Sequence, residues 1–264
     1  MKNKILFLFV FMLWVLPFGC YHDEDLVREE EMLENEFFFH PESKAITLEM
    51  LETLFDEINS SKEISKADIV QLCERISDVI NYQFLRLRDA FHAMLDLNIK
   101  MKITIDLENK TFKEDEEIIA LWNYGEIIIR KKEDLKVVDI IIHEMIHQLQ
   151  CDNSSQSKLS EDRMRNIEFE AYLLFDICIT EKWMKAGTLP DRNELYYLKK
   201  NKVDYERDNA YINYLFRICD RSITGDEMIS EFNRFAEKFE AYEKAAYSPY
   251  GSPYLILCLW PIWY

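Results

Sequence analysis

From Ile46 to about Leu97 apolar residues recur every three or four positions. Ile69, Leu72, Cys73, Ile76, Val79, Ile80, Phe84, Leu87 and Phe91 fall on one stripe, which predicts helices. The period then drops to two. Ile99, Met101, Ile103, Ile105 and Leu107 alternate with polar neighbours, the pattern of a half-buried strand. A second strand is predicted at Glu126–Lys131, entered through Gly125 and rich in β-branched residues, with the acidic run 113–117 between the two as a solvated loop. The helical period returns with Leu135, Val138, Ile142, Met145, Ile146 and Leu149, which form the apolar stripe of one helix. A polar loop at 151–162 leads to another helix from about Arg163 to Lys185, ended by the breaker run Gly187–Asp191. Three more helical segments follow at roughly 192–202, 204–220 and 225–245. Thr224 with Glu227 three residues on is a capping box for the last. With five glycines and six prolines the chain lacks the turn residues of a β sandwich. The expected class is α+β and predominantly helical, with a small sheet packed on the helix around residue 143 and additional C-terminal helices.

The two ends break this pattern. Residues 1–19 combine Lys2 and Lys4 with an apolar run from Ile5 to Leu16 that is short for a bilayer span of about 20 residues, so they are read as a targeting segment. The run Leu16-Pro17-Phe18-Gly19-Cys20 resembles the lipobox of bacterial lipoproteins, although its leucine stands four residues before the cysteine instead of three. That resemblance implies a lipid on Cys20 and an N-terminal membrane anchor. Residues 20–45 are acidic and read as a tether. Acidic residues directly behind the cysteine resemble the signal that sends some lipoproteins to the outer face of the outer membrane. The expected location is therefore the bacterial cell envelope, as an outer-membrane lipoprotein, with exposure at the cell surface the finer expectation. At the other end, residues 246–264 form an aromatic and apolar C-terminal tail, too short and too proline-broken to span a membrane. Packing back on the domain is its expected fate.

Net charge is −17, or −19 once residues 1–19 with their two lysines are removed. Such a chain repels phosphate backbones, which argues against a nucleic-acid partner. Besides Cys20 there are five widely spaced cysteines and no CxxC pair, so neither a disulfide framework nor a cysteine-based zinc site is indicated. His92 has no second ligand at metal-binding spacing and is read as structural.

The candidate chemistry lies in His143-Glu144-Met145-Ile146-His147, an HExxH motif. Residues four apart on a helix share a face, so His143 and His147 can aim two imidazoles at one point, the half-site of a Zn²⁺ ion. Glu144 lies about 100° round the helix, placed to take a proton from water that the metal has acidified. The same motif also occurs in helices that bind no metal, and a third ligand is what separates the cases. The next helix offers Glu168 and Glu170. These point about 160° apart, so only one can reach the metal.

HExxH followed by a glutamate on a second helix resembles the gluzincin metallopeptidases. The resemblance covers roughly residues 98–185 and implies a zincin-like domain over 46–245. Its implied ligands are His143, His147 and Glu168, preferred over Glu170, with one Zn²⁺ and Glu144 as catalytic base. The implied activity is hydrolysis of a peptide or protein substrate, whose extended chain pairs with the free edge of the strand before the HExxH helix. In that family an alanine three residues and an aspartate four residues beyond the ligand glutamate are common. Ala171 fits, but Tyr172 stands in the aspartate's place, leaving Tyr172, Asp176 or Asp139 to orient the first histidine. The reading from another class is a cell-surface adaptor or pseudopeptidase with a structural or degenerate metal site.

Overall fold

Local capping decides where the first helices start. In this computed structural model, which describes residues 44–55, 61–84, 87–107, 112, 119–123, 125–153, 163–249 and 251–259, α1 (Leu48–Glu52) follows Thr47, whose side chain accepts from Met50 N–H. The next helix, α2 (Lys66–Tyr82), begins at a capping box of Ser65 and Asp68. Lys132 lies 2.6 Å from the same Asp68 carboxylate, and with the Ser65 donors it holds that carboxyl down to about 2. α3 (Leu87–Asp96) completes this helical region. The proposed targeting segment, Cys20, the tether up to Ser43 and the acidic loop at 113–117 lie outside the described residues. No helix among the described residues is long and apolar enough to cross a membrane.

The sheet has three strands, one more than the alternation predicts: β1 (Lys102–Ile105), β2 (Ala120–Trp122) and β3 (Glu126–Ile129). Their order is β1-β3-β2, with β1 parallel and β2 antiparallel to β3. β2 is three residues long, too short to show an alternation. The β2–β3 hairpin closes where Asn123 and Glu126 exchange both backbone bonds, and Gly125 supplies the φ of +82° that the turn needs. Because β3 is paired on both sides, it has no free edge for a substrate. The expectation that the strand before the HExxH helix offers one is therefore corrected: the outer strand on that side is β2, which packs against the helix. Ile103, Ile127 and Ile129 are fully buried beneath it.

A 3₁₀ turn (Lys132–Lys136) leads into α4 (Val138–Asn153), which carries the HExxH motif. Leu135 thus belongs to the turn and not to the helix. Every residue from Ile141 to Cys151 is buried, so α4 is an interior helix and not an amphipathic one with an open cleft face. α5 (Met164–Ala186) is the second central helix and ends at Gly187, whose φ of +70° gives the left-handed cap. Where the sequence predicts a helix over 192–202, only α6 (Tyr196–Lys199) forms. Asp176 of α5 fixes its start, accepting from Tyr196 N–H at 2.5 Å and Tyr197 N–H at 2.9 Å. α7 (Tyr205–Cys219) and α8 (Gly225–Glu237) follow, the latter opened by the expected Thr224–Glu227 box. A 3₁₀ turn (Glu240–Tyr242) succeeds α8.

The C-terminal segment turns back along the domain. Asn166 and Asn233 clamp it: Asn166 exchanges two hydrogen bonds with the backbone of Ser248, and Asn233 donates to the Gly251 carbonyl. The short helix α9 (Tyr254–Leu259) then buries Leu255 and Ile256 in the main core. Cys73, Cys151 and Cys178 form no disulfide among the described residues and are buried, as small hydrophobes are. His92 bonds the Lys44 carbonyl at 2.8 Å.

Candidate metal centre

Helices α4 and α5 pack against one another, and their contact brings His143, His147 and Glu168 together. The two Nε2 atoms are 3.1 Å apart. Glu168 places one carboxylate oxygen 3.1 Å from His143 Nε2 and the other 3.4 Å from His147 Nε2. A tetrahedral ion with bonds of about 2.0–2.1 Å holds its ligands roughly 3.3–3.4 Å apart, so these separations suit one shared Zn²⁺. Neutral imidazoles and a carboxylate are also the donor types that zinc takes, and three of them leave a fourth position open. Among the described residues this is the group of metal-ligating side chains that converges.

Glu170 does not join it. Its Oε2 accepts from Gln150 Nε2 at 2.9 Å, while its Oε1 accepts from the N–H groups of Leu255 and Ile256 at 2.6 and 3.2 Å. Burial pushes its carboxyl up to about 7 against those donors. Glu168 is half-buried, yet it is held far below the ordinary carboxylate range because the two histidines outweigh the desolvation. Reciprocally, burial lowers His147 but Glu168 outweighs it and lifts the imidazole to about 9.

His147 and His143 differ in support. His147 Nδ1 lies 2.8 Å from Gln150 Oε1. Gln150 Nε2 also donates to the Ile167 carbonyl at 3.1 Å, which can only accept, so the amide's orientation is determined. His147 Nδ1 is consequently the protonated nitrogen, leaving Nε2 for a metal. His143 Nδ1 is buried with no hydrogen-bond partner among the described residues. The three residues expected to orient it are all engaged elsewhere. Asp139 accepts from the Tyr196 hydroxyl, Asp176 takes Tyr196, Tyr197 and the Tyr211 hydroxyl, and Tyr172 packs its ring 4.7 Å from the His143 ring.

Glu144 is 7% exposed, and burial raises its carboxyl against the pull of both histidines. The backbone N–H of Trp122, on β2, donates to it. The Trp122 indole donates to Gln148 at 2.9 Å, which ties β2 to α4. The Tyr242 hydroxyl interacts with the Glu168 carboxylate and the Tyr172 hydroxyl, and burial with the nearby anion drives its ionisation far upward.

The chain matches no protein-family model, no curated protein and no solved structure.

Several site residues escaped the sequence reading. Gln150 lies three residues after His147, a helical neighbour spacing that was available as a signal. Trp122 was hidden in a strand too short to detect. Tyr242 is one of fourteen tyrosines and has no local mark.

Proposed function

We propose that the protein is a zinc-dependent metallopeptidase of gluzincin type, anchored in the bacterial envelope through a lipid on Cys20. The observation that carries this reading is the convergence of His143 Nε2, His147 Nε2 and the Glu168 carboxylate at metal-ligand spacing, beside the intervening Glu144. Zn²⁺, when bound there, supplies a Lewis acid that polarises a peptide carbonyl and acidifies water. The chain's own residues do the rest. His143 and His147 present nitrogen lone pairs from one rigid helix, and Glu168 adds the negative charge from the next. Glu144 accepts a proton on its carboxylate and delivers it to the leaving amine nitrogen. Its raised carboxyl suits that exchange, since a base works best when its pKa approaches the working pH. Trp122 N–H holds the Glu144 carboxylate in place, and the Tyr242 hydroxyl does so for Glu168.

The test is Glu144→Gln. It should keep one zinc per chain and lose cleavage of a mixed peptide library read by mass spectrometry. Full turnover in that variant defeats the mechanism.

One observation favours a second reading, a pseudopeptidase or surface adaptor with a structural metal. His143, Glu144 and His147 are only 7, 7 and 4% exposed, and His143 lacks an orienting partner. Stoichiometric zinc in the wild type with no cleavage of any library peptide would select it.

A further inference from the structure

The C-terminal segment has no obvious business near the metal centre, yet a continuous run of hydrogen bonds leads from one to the other. Leu255 and Ile256 N–H groups donate to Glu170 Oε1 at 2.6 and 3.2 Å. Glu170 Oε2 accepts from Gln150 Nε2 at 2.9 Å, and Gln150 Oε1 accepts from His147 Nδ1 at 2.8 Å. Each link is buried. Nothing in this run is interchangeable. Gln150 turned over would set its NH2 group against His147 Nδ1 and its oxygen against the Ile167 carbonyl. The segment itself is held at its approach: Gly251 leaves no room for a side chain, since a Cβ there would come within 2.2 Å of Asn166 Nδ2.

We infer that residues 251–257 are a working part of the metal centre: through the positioning residues Glu170 and Gln150 they fix the proton on His147 Nδ1 and so reserve Nε2 for the metal. This rests on the metal-centre reading. A buried carboxylate that takes two backbone donors on one oxygen has only its other oxygen for Gln150. The docked segment thereby holds Glu170 Oε2 toward Gln150 Nε2, and this acceptor and the Ile167 carbonyl together set which way the amide faces. Histidine ligands depend on such outer partners, whose loss costs about 10–100-fold in metal affinity.

Two substitutions in the full chain test it. Glu170→Gln keeps the shape but offers one acceptor oxygen where two are used, so it must drop either the segment or Gln150. Gln150→Leu removes the last link and leaves the Glu170 contacts to Leu255 and Ile256 in place. Zn²⁺ affinity is measured by competition with a chromophoric chelator and should fall roughly 10–100-fold in both variants. In metal-free protein, ¹H–¹⁵N spectra of the imidazoles should show an exchange-protected His147 Nδ1–H in the wild type that both variants lose. Melting of the metal-free proteins separates this from general damage. Variants that melt lower but keep wild-type affinity and the protected Nδ1–H overturn the inference. A wild type that binds no stoichiometric zinc defeats the metal reading instead, and the Nδ1–H signal then decides the hydrogen-bond run alone.

Discussion

Glu168 and Glu170 stand two residues apart on α5, the first half-buried and the second buried, and desolvation has opposite outcomes for them. Glu168 faces two imidazoles and stays ionised, far below the usual carboxylate range. Glu170 faces an amide and two backbone N–H groups and is raised to about 7. Desolvation acts on both in the same direction, so what differs is the charge of the neighbours. Neutral donors soften the penalty of a buried carboxylate, and cationic ones reverse it. The helix thus turns one acid to the two histidines and the other to the architecture, with Phe169 between them pointing into an aromatic cluster. Its ring centroid lies 5.1 Å from that of Phe232 and 5.3 Å from that of Tyr197.

The comparison breaks most directly if the two acids exchange roles. Glu168→Ala should abolish stoichiometric zinc, a larger effect than the roughly 10–100-fold expected of an outer partner. Metal analysis after dialysis checks this. Retention of zinc by Glu168→Ala alongside its loss in Glu170→Ala would reverse the assignment. Phe169→Ala removes the buried ring that lies between the two acids in the sequence of α5. The side chain is fully buried, and deleting such a ring costs about 3–5 kcal/mol. Denaturant unfolding should record that loss, and a loss under ~1 kcal/mol would mean the cluster collapses around the gap.

How much of this contrast the sequence disclosed follows from the range of each interaction. The HExxH spacing and the apolar periods are local, and they place α2, α4, α5, α7 and α8, along with β1 and β3. The preference for Glu168 over Glu170 came from a family pattern and agrees with the placement of both side chains. What Glu170 does instead depends on Leu255, some 85 residues away, and no local pattern encodes a contact at that separation. The same reason hid Asp176, which starts α6 from 20 residues upstream, and Trp122, whose N–H reaches Glu144. The free edge assigned to residues 126–131 failed because β2 is too short to be seen and covers it.

Asp176 is another acid desolvated on α5 and sharpens the rule, because its donors are two backbone N–H groups and the Tyr211 hydroxyl, all neutral. Burial lifts it from 3.8 to about 7. A carboxyl raised on folding binds its proton more tightly in the native state. Its stabilising contribution is therefore complete below about pH 4 and is lost as pH rises to about 7, by an amount of order a few kcal/mol. Asp176→Asn has no such proton. The stability difference between the two proteins, followed by urea unfolding from about pH 4 to about 7, should move in the variant's favour as pH rises. A flat difference would show that three neutral donors suffice to keep a buried carboxylate ionised, and the contrast with Glu168 would lose its basis.

The smallest effect is expected at Tyr172, where the comparison passes from the acids to the histidines. His147 is held by a hydrogen bond to Gln150 through Nδ1, whereas His143 Nδ1 has no such partner among the described residues and its ring packs 4.7 Å from that of Tyr172. If packing alone orients His143, the ring matters and the hydroxyl does not. Tyr172→Phe keeps the ring and removes only the bond to Tyr242, so stability should change by about 1 kcal/mol or less. Zinc affinity should stay within roughly threefold of wild type, well short of the loss that an outer hydrogen-bond partner brings. A drop as large as that of Gln150→Leu would mean that the Tyr172 hydroxyl, through Tyr242 and Glu168, supports the site as a hydrogen-bonding group. The two histidines would then be held by the same kind of force, and the unpartnered Nδ1 of His143 would cease to mark the weaker side of the centre.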